Sequence, residues 1–326
     1  MNSIAFIATA AVAVLILPFV GSEYAISFGV QLLMFTALAY SWNLIGGYAG
    51  YTHFGQVAFF GFGAYVGALC MGAGWHWLPA AVAAALGGLV LALPLGFAML
   101  RLKGPFFAIG MFGMARVFEN FALGFDGITD GGTGLYLSPV SDMRQIYAAF
   151  AVLALGLLVA TWRLDNSRLG LQLLAIREDE TAAEALGVRT SRLKIGVFAA
   201  SAIAPAAAGS LYATYLAFID PATAFAPMTE LTTISMVLLG GLGTVFGPLV
   251  GVVTMSVINE LLWSRFPEIY LMLVGCVILL AIVFMPRGLA GMARRRSLLF
   301  PVGREGLRRL VARRSPPGMR TEAALG

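Results

Sequence analysis

Residues 78–100, LPAAVAAALGGLVLALPLGFAML, decide the fold, because this run carries no charged side chain. A helix needs roughly 20 apolar residues to cross a hydrocarbon core about 30 Å thick, so the run predicts a membrane span. Further apolar runs lie at residues 4–20, 24–45, 54–72, 105–123, 145–162, 195–217, 231–263 and 269–285. The run at 231–263 is too long for one ordinary span. Glycines and a proline interrupt it, which predicts two short helices or one broken helix.

The chain is therefore predicted to be all-α: a polytopic membrane helical bundle of eight to ten transmembrane helices with broken or re-entrant segments. Its composition points to the same class of protein, since 60% of the 326 residues are hydrophobic and only 11% are charged. A soluble domain carries about a quarter charged residues. So few polar residues could not cover the surface of a water-soluble enzyme, and the composition excludes that class.

The basic residues indicate which side of the membrane each loop occupies. Of the 21 lysines and arginines, 18 lie in three segments: Arg101 with Lys103, residues 163–194, and the tail from Arg287 onward. The positive-inside rule places these segments and the C-terminus in the cytoplasm, and counting spans back from Arg101 predicts a cytoplasmic N-terminus. No lysine or arginine precedes the first run, so we expect a retained helix and not a signal peptide. The basic tail, residues 291–326, is expected to attract anionic lipid and not nucleic acid.

Motifs for energy conversion and catalysis are missing from the sequence. Its two lysines, Lys103 and Lys194, do not follow glycines, so it has no G-x-x-x-x-G-K-[ST] loop to hold nucleotide phosphates. The sequence has only two histidines, His53 and His76, and it contains neither an H-E-x-x-H nor a C-x-x-C motif. No catalytic residue, metal site or cofactor is therefore predicted. We therefore expect a protein that is not an enzyme, and any ATP that drives it would be bound by another chain.

The pattern G-x-G-x-x-x-G occurs at residues 61–67 and again at 241–247. The favoured interpretation is close packing between helices. The alternative is that both are broken helices of two matching repeats that line a transport path. Residues 42–63 are polar for their predicted depth, which indicates either a cytoplasmic turn or a re-entrant section. The candidate path residues are Asn43, Gln56, Gly61, Gly63, Gly241 and Gly243.

Two further features lie toward the outer face in this topology. Arg116 and Glu119 are three residues apart on a predicted helix and can pair on one face. A structural ion pair near the outer interface is the favoured interpretation, and a functional site is the alternative, because charge at membrane depth is costly. Residues 126–134, DGITDGGTG, predict an ordered surface loop that could meet an external partner.

The most informative stretch is residues 174–188, LAIREDETAAEALGV, inside the basic segment 163–194. Four apolar residues predict one side of a short amphipathic helix that lies along the membrane surface: Leu174, Ala182, Ala185 and Leu186. Arg177, Glu178 and Glu184 are left to solvent or to a partner, and Gly187 is a natural helix stop. From these residues alone, a docking helix and a solvated loop helix are equally supported.

Residues 184–187, EALG, resemble the coupling motif of ABC-importer permeases, in which E-A-A is followed by a glycine, with leucine here in place of the second alanine. The wider context resembles the LivM family of branched-chain amino-acid ABC transporter permeases. The matching stretches are residues 43–50 (NLIGGYAG), 54–65 (FGQVAFFGFGAY), 105–109 (PFFAI), 131–135 (GGTGL), 169–188, 240–248 (GGLGTVFGP) and 285–289 (MPRGL). The resemblance covers about residues 35–290.

This resemblance implies the permease subunit of a binding-protein-dependent importer, which moves branched-chain or related amino acids across the bacterial inner membrane. The implied partners are a second permease of the LivH type, two cytoplasmic ATPase subunits that bind the ATP, a periplasmic substrate-binding protein and membrane lipid. A urea or short-amide ABC permease, or an ion-coupled secondary transporter, is the alternative.

The resemblance also implies a division of the chain. Residues 1–290 would form the transmembrane permease domain, followed by the basic tail at 291–326. Residues 163–194, named here the coupling loop, would dock on an ATPase subunit. The implied docking residues are Arg177, Glu178, Glu184, Ala185 and Gly187.

Overall fold

The computed structural model describes residues 21–102, 104–138 and 142–266, with a few residues outside these ranges. Lys103, the tail at 291–326, all but two residues of the predicted first span at 4–20, and just over half of the predicted last span at 269–285 lie outside the described residues. Within the described part, seven helices are long and apolar enough to cross a membrane, and a further apolar helix, Gln56–Gly72, is shorter. The prediction of an all-α, polytopic membrane bundle is confirmed.

Helix α1 (Glu23–Asn43) continues into a π-helical turn, Leu44–Tyr48, and irregular residues 49–55 lead to α2 (Gln56–Gly72). The later helices are α3 (Trp77–Met99), α4 (Pro105–Gly124), α5 (Asp126–Thr129), α6 (Met143–Asp165), α7 (Arg168–Glu178), α8 (Glu180–Ala185), α9 (Thr190–Leu216), α10 (Pro221–Ala224), α11 (Pro227–Gly240) and α12 (Gly247–Arg265). The structure also has a 3₁₀ turn, Gly131–Thr133, and two short strands, β1 (Leu135–Tyr136) and β2 (Phe218–Ile219).

Helix α9 is the centre of the bundle and packs along both α2 and α3. The contact between α9 and α2 is backbone to backbone. A carbon added at Gly209 on α9 would lie 1.9 Å from the carbonyl oxygen of Phe60, and one added at Gly63 on α2 would lie 2.0 Å from that of Ala206. Small residues allow this close approach, which membrane helices need because lipid gives them little hydrophobic drive to associate.

The two stretches with the same glycine pattern differ in structure. Residues 61–67 lie inside the continuous helix α2, where their glycines pack against α9 and Phe225. The packing interpretation is therefore confirmed there, and the alternative of two matching broken helices is wrong. Residues 241–246 do form a break, between α11 and α12, so the prediction of two helices within 231–263 is confirmed. Gly243 in this break has a φ of +65°, which a residue with a Cβ rarely adopts.

Contacts between distant residues define two ends of the bundle. At one end, Arg177 of the coupling loop donates to the Gly47 carbonyl oxygen in the π-helical turn after α1, at 2.7 Å. The connection between α3 and α4 borders a cleft together with the coupling loop. Two of the three basic segments, Arg101 and residues 163–194, therefore lie at this end, as expected if it is cytoplasmic. At the other end, β1 pairs antiparallel with β2, and Tyr24 at the start of α1 donates to Glu260 of α12.

The features predicted toward the outer face lie toward the end that carries the strands. Arg116 and Glu119 form the predicted ion pair, and Arg116 also donates to the carbonyl oxygen of Phe225, just after α10. These contacts fasten α4 to α10, which supports the structural interpretation of the pair. Residues 126–134 fold into the short helix α5 and the 3₁₀ turn, and the Thr129 hydroxyl donates to the Ala122 carbonyl oxygen at 2.6 Å. A role for this loop in meeting an external partner stays a prediction.

Candidate functional site

The coupling loop folds as two short helices joined by one extended residue. The Ser167 hydroxyl begins α7 by accepting a hydrogen bond from a backbone amide of its first turn. Asp179, with a φ of −158°, interrupts the helix, and its side chain accepts from the Ala182 amide at 3.0 Å to begin α8. The prediction of a single helix is therefore wrong, because this aspartate caps a new helix. The predicted stop is confirmed: α8 ends at Ala185, and Gly187 has a φ of +85°.

The extended residue changes which side chains of the loop are buried. Three apolar side chains anchor the loop to the bundle: Leu173, Ile176 and Ala183. The predicted apolar side is not continuous with these anchors, since Ala182, Ala185 and Leu186 are exposed. Helix α8 starts afresh after Asp179, so the 3.6-residue period of α7 does not continue through it.

Three of the five predicted docking residues lie on the exposed tip of the loop, which we define as Ala182 and residues 184–187. Leu186 is 84% exposed, and Ala185 and Gly187 beside it are exposed as well. Glu184 is exposed but accepts a hydrogen bond from Thr190, which holds the tip against the start of α9. Glu178 is exposed at the end of α7, whereas the guanidinium of Arg177 binds the π-helical turn. Docking by these five residues stays a prediction.

A cluster of Lys194, Tyr51 and Glu180 ties the coupling loop to the bundle. Lys194, the side chain of which is 5% exposed, forms an ion pair with Glu180 at 2.5 Å and donates to the Tyr51 hydroxyl oxygen at 2.9 Å. Tyr51 donates in turn to the other carboxylate oxygen of Glu180 at 2.7 Å. Burial, together with this hydrogen bond to the carboxylate, raises the pKa of Tyr51, so its hydroxyl stays protonated and donates. Sequence reasoning missed this cluster.

The candidate path residues separate into two groups. Asn43 joins the two breaks: its Nδ2 atom donates to the Thr244 carbonyl oxygen at 3.2 Å, and its Oδ1 atom accepts from the Gly243 amide at 2.9 Å. Gly241 lies in the same break, with a φ of +122°. Residues 42–49 are almost entirely buried in protein, and the chain reverses at 48–52 against the coupling loop. The other three candidates, Gln56, Gly61 and Gly63, belong to α2.

Gln56 also marks a buried acidic group that sequence reasoning left without a role. Glu230 of α11 is 4% exposed, and its two carboxylate oxygens accept from the amides of Gln56 at 3.0 Å and Val57 at 3.3 Å. Gly55, the residue before α2, offers no side chain to cap the helix. Glu230 therefore supplies the N-terminal cap of α2 from another helix, where the helix dipole favours a negative charge.

A cleft of about 580 Å³ opens between the coupling loop and the start of α4. It is lined by residues 49–52, by residues near the start of α4, and by Ile176, Arg177 and Glu180. Within the described residues, no three His, Cys, Asp or Glu side chains are grouped as a metal site would require. The arrangement thus joins an anchored loop with an exposed tip to two helix breaks, which suits the transmission of movement.

The sequence profile of the family described as the permease component of branched-chain amino acid transport systems matches residues 24–282. LivM of Salmonella typhimurium, a high-affinity branched-chain amino acid transport system permease protein, is 29% identical over 85% of this chain and 72% of its own length. LivM of Escherichia coli is 28% identical with the same coverage. LivH of Salmonella typhimurium is 23% identical over 79% of this chain and 91% of its own length. No solved structure gives a significant match.

Proposed function

Because the chain belongs to the family of permease components of branched-chain amino acid transport systems, we propose that it is the membrane-embedded subunit of an ABC importer for branched-chain amino acids. The substrate class rests on the LivM relatives, whose names state it and which match most of the chain. The weaker match to LivH indicates that two kinds of permease share one plan. The partner within the membrane would be such a second permease chain.

The observation that carries this proposal is the exposed tip of the coupling loop. Ala182, Ala185 and Leu186 present apolar surface there, with the carboxylate of Glu184 between them. Buried side chains and the Lys194 cluster anchor the loop on which the tip stands. A small apolar projection with a charged rim, on an anchored loop, is well suited to a groove on another protein. That protein would be a cytoplasmic ATPase subunit.

The energy for transport would come from the partners, since this chain has no phosphate-binding loop. Two ATPase subunits that close on ATP would move the tips docked in them. The coupling loop would pass this movement to the helix breaks, and the path would open alternately to each side. Such coupling needs an element with two arrangements, and we assign this part to the two helix breaks, which a few hydrogen bonds join.

The proposed orientation follows from the two ends of the bundle. The end with Arg101 and the coupling loop would face the cytoplasm, and the end with β1 and β2 would face the periplasm, where a substrate-binding protein delivers the amino acid. The membrane would be the inner membrane. The meeting point of Asn43 with residues 241–244 would then form the cytoplasmic end of the path.

The docking part of the proposal is tested by Leu186→Arg. The substitution places a charge in the proposed groove and should weaken ATPase binding about thirtyfold, the effect of a central interface contact worth roughly 2 kcal/mol. The readouts are co-purification of the ATPase subunits with the permease pair and ATP-driven leucine uptake, and both should fall.

Leu169→Arg is the matched control. Leu169 is also exposed, at 52%, but it lies near the start of α7 and outside the tip. It should leave ATPase binding unchanged. Equal binding by both variants and the unmodified chain would show that the tip is not the docking surface.

A further inference from the structure

Arg177 stands at the point where three separate segments of the chain meet. Its Nη1 atom donates to the Gly47 carbonyl oxygen at 2.7 Å, a hydrogen bond strengthened by the positive charge of the guanidinium. A carbon added at Gly243 would lie 2.7 Å from the same Nη1 atom and 2.8 Å from the Gly47 oxygen. The guanidinium therefore lies against both breaks, the one after α1 and the one between α11 and α12.

The stem of the Arg177 side chain is also held in place. A carbon added at Gly50, which has a φ of +78°, would lie 2.8 Å from the Cγ atom of Arg177. The backbone that follows α1 thus packs on the aliphatic part of the side chain, while the guanidinium binds the turn before it. Arg177 is exposed overall, and its open side borders the cleft beside α4.

The two breaks are in turn joined to each other. Asn43, at the end of α1, is fully buried and bonds to both Gly243 and Thr244. Gly47 also packs closely on this second break, since a carbon added at Gly47 would lie only 2.6 Å from the Gly243 amide nitrogen. A displacement of Gly47 would therefore move the break between α11 and α12 as well. The hydrogen bond from Arg177 acts on this joined unit.

We propose that Arg177 is a positioning residue that transmits movement of the coupling loop to the two helix breaks, and not a contact with the ATPase. This inference rests on the proposed function, and it corrects the docking role that the family resemblance implies for this residue. Without the guanidinium, the tip can still dock and still respond to ATP. The breaks would then follow the coupling loop less closely, so ATP would be hydrolysed with less transport.

The test is the number of amino acids taken up per ATP hydrolysed, measured with the complete importer in liposomes. Arg177→Ala should keep ATPase binding and ATP hydrolysis but lower this ratio about tenfold. Arg177→Lys, which keeps a charged donor, should recover part of the ratio. Arg168→Ala is the matched control: Arg168 begins the same helix, and its side chain forms no hydrogen bond or ion pair within the described part of the chain. It should leave the ratio unchanged.

Two results would overturn the inference. A parallel loss of ATPase binding, hydrolysis and uptake in Arg177→Ala, at a constant ratio, would make Arg177 a docking residue. An unchanged ratio with normal uptake would remove any role in transmission. If Arg177→Ala does not fold, the same ratio measured with Arg177→Met decides, because methionine keeps an apolar stem beside Gly50 but has no donor for the Gly47 oxygen, and a value equal to that of the unmodified complex would contradict the inference. Failure of the unmodified importer to take up amino acids with ATP would instead overturn the proposed function.

Discussion

Gly209→Leu is expected to leave no folded protein that can be recovered in detergent. The added Cβ atom would lie 1.9 Å from the Phe60 carbonyl oxygen and 3.0 Å from the Ala64 amide nitrogen, and both are backbone atoms of α2. Backbone cannot move aside as a flexible side chain can, so α9 and α2 would have to separate. Because α9 is central and native proteins are stable by only about 5–15 kcal/mol, losing this contact should exceed what the fold tolerates.

The measurement is the yield and the monodisperse peak of the purified protein on size-exclusion chromatography. Gly196→Leu is the matched control, because Gly196 lies on the same helix and an added carbon there meets no atom of the described residues within 4 Å. It should give a normal peak. A normal peak for Gly209→Leu would show that α9 and α2 are not in backbone contact.

Glu180→Gln is expected to lower the free energy of unfolding by about 3 kcal/mol. The substitution leaves the Lys194 ammonium group, on a side chain that is 5% exposed, facing a neutral amide. Lys194→Met should cost less, because the Glu180 side chain is 23% exposed and water can reach its carboxylate. The double variant, which removes both charges, should return to within about 1 kcal/mol of the unmodified protein.

Thermal unfolding of the detergent-solubilised protein measures these differences. The order of stability should be the unmodified protein, the double variant, Lys194→Met and then Glu180→Gln. Strictly additive effects, with the double variant the least stable of all, would contradict the ion pair between α8 and α9.

Local patterns were enough to predict several features of this fold. The glycines and proline within 231–263 predicted the division into α11 and α12, and Gly187 predicted the end of α8. The three-residue spacing predicted the ion pair of Arg116 and Glu119. Each of these features depends on the conformational preference of one residue or on neighbours within one helical turn. Both can be read from a short stretch of sequence.

The remaining features depend on partners that are far apart in sequence. The Gly47 carbonyl oxygen lies 130 positions from Arg177, and the Gln56 amide lies 174 positions from Glu230. No local period indicates that a cap for α2 comes from α11. For the same reason, the repeated glycine pattern does not predict one structure. The glycines of residues 61–67 pack against α9 and Phe225, whereas Gly241 and Gly243 adopt positive φ angles in a helix break. Spacing alone does not distinguish these two uses of glycine.

The central claim is that this chain is a conduit moved by ATPase subunits, and reconstitution in liposomes tests it most directly. Labelled leucine uptake would be measured with this chain alone and with the proposed partners added: a second permease, two ATPase subunits with ATP, and a substrate-binding protein. We predict accumulation against a gradient by the complete assembly and none by the chain alone. Accumulation by the chain alone under an ion gradient would contradict the account, as would an assembly that transports urea or short amides but no branched-chain amino acid.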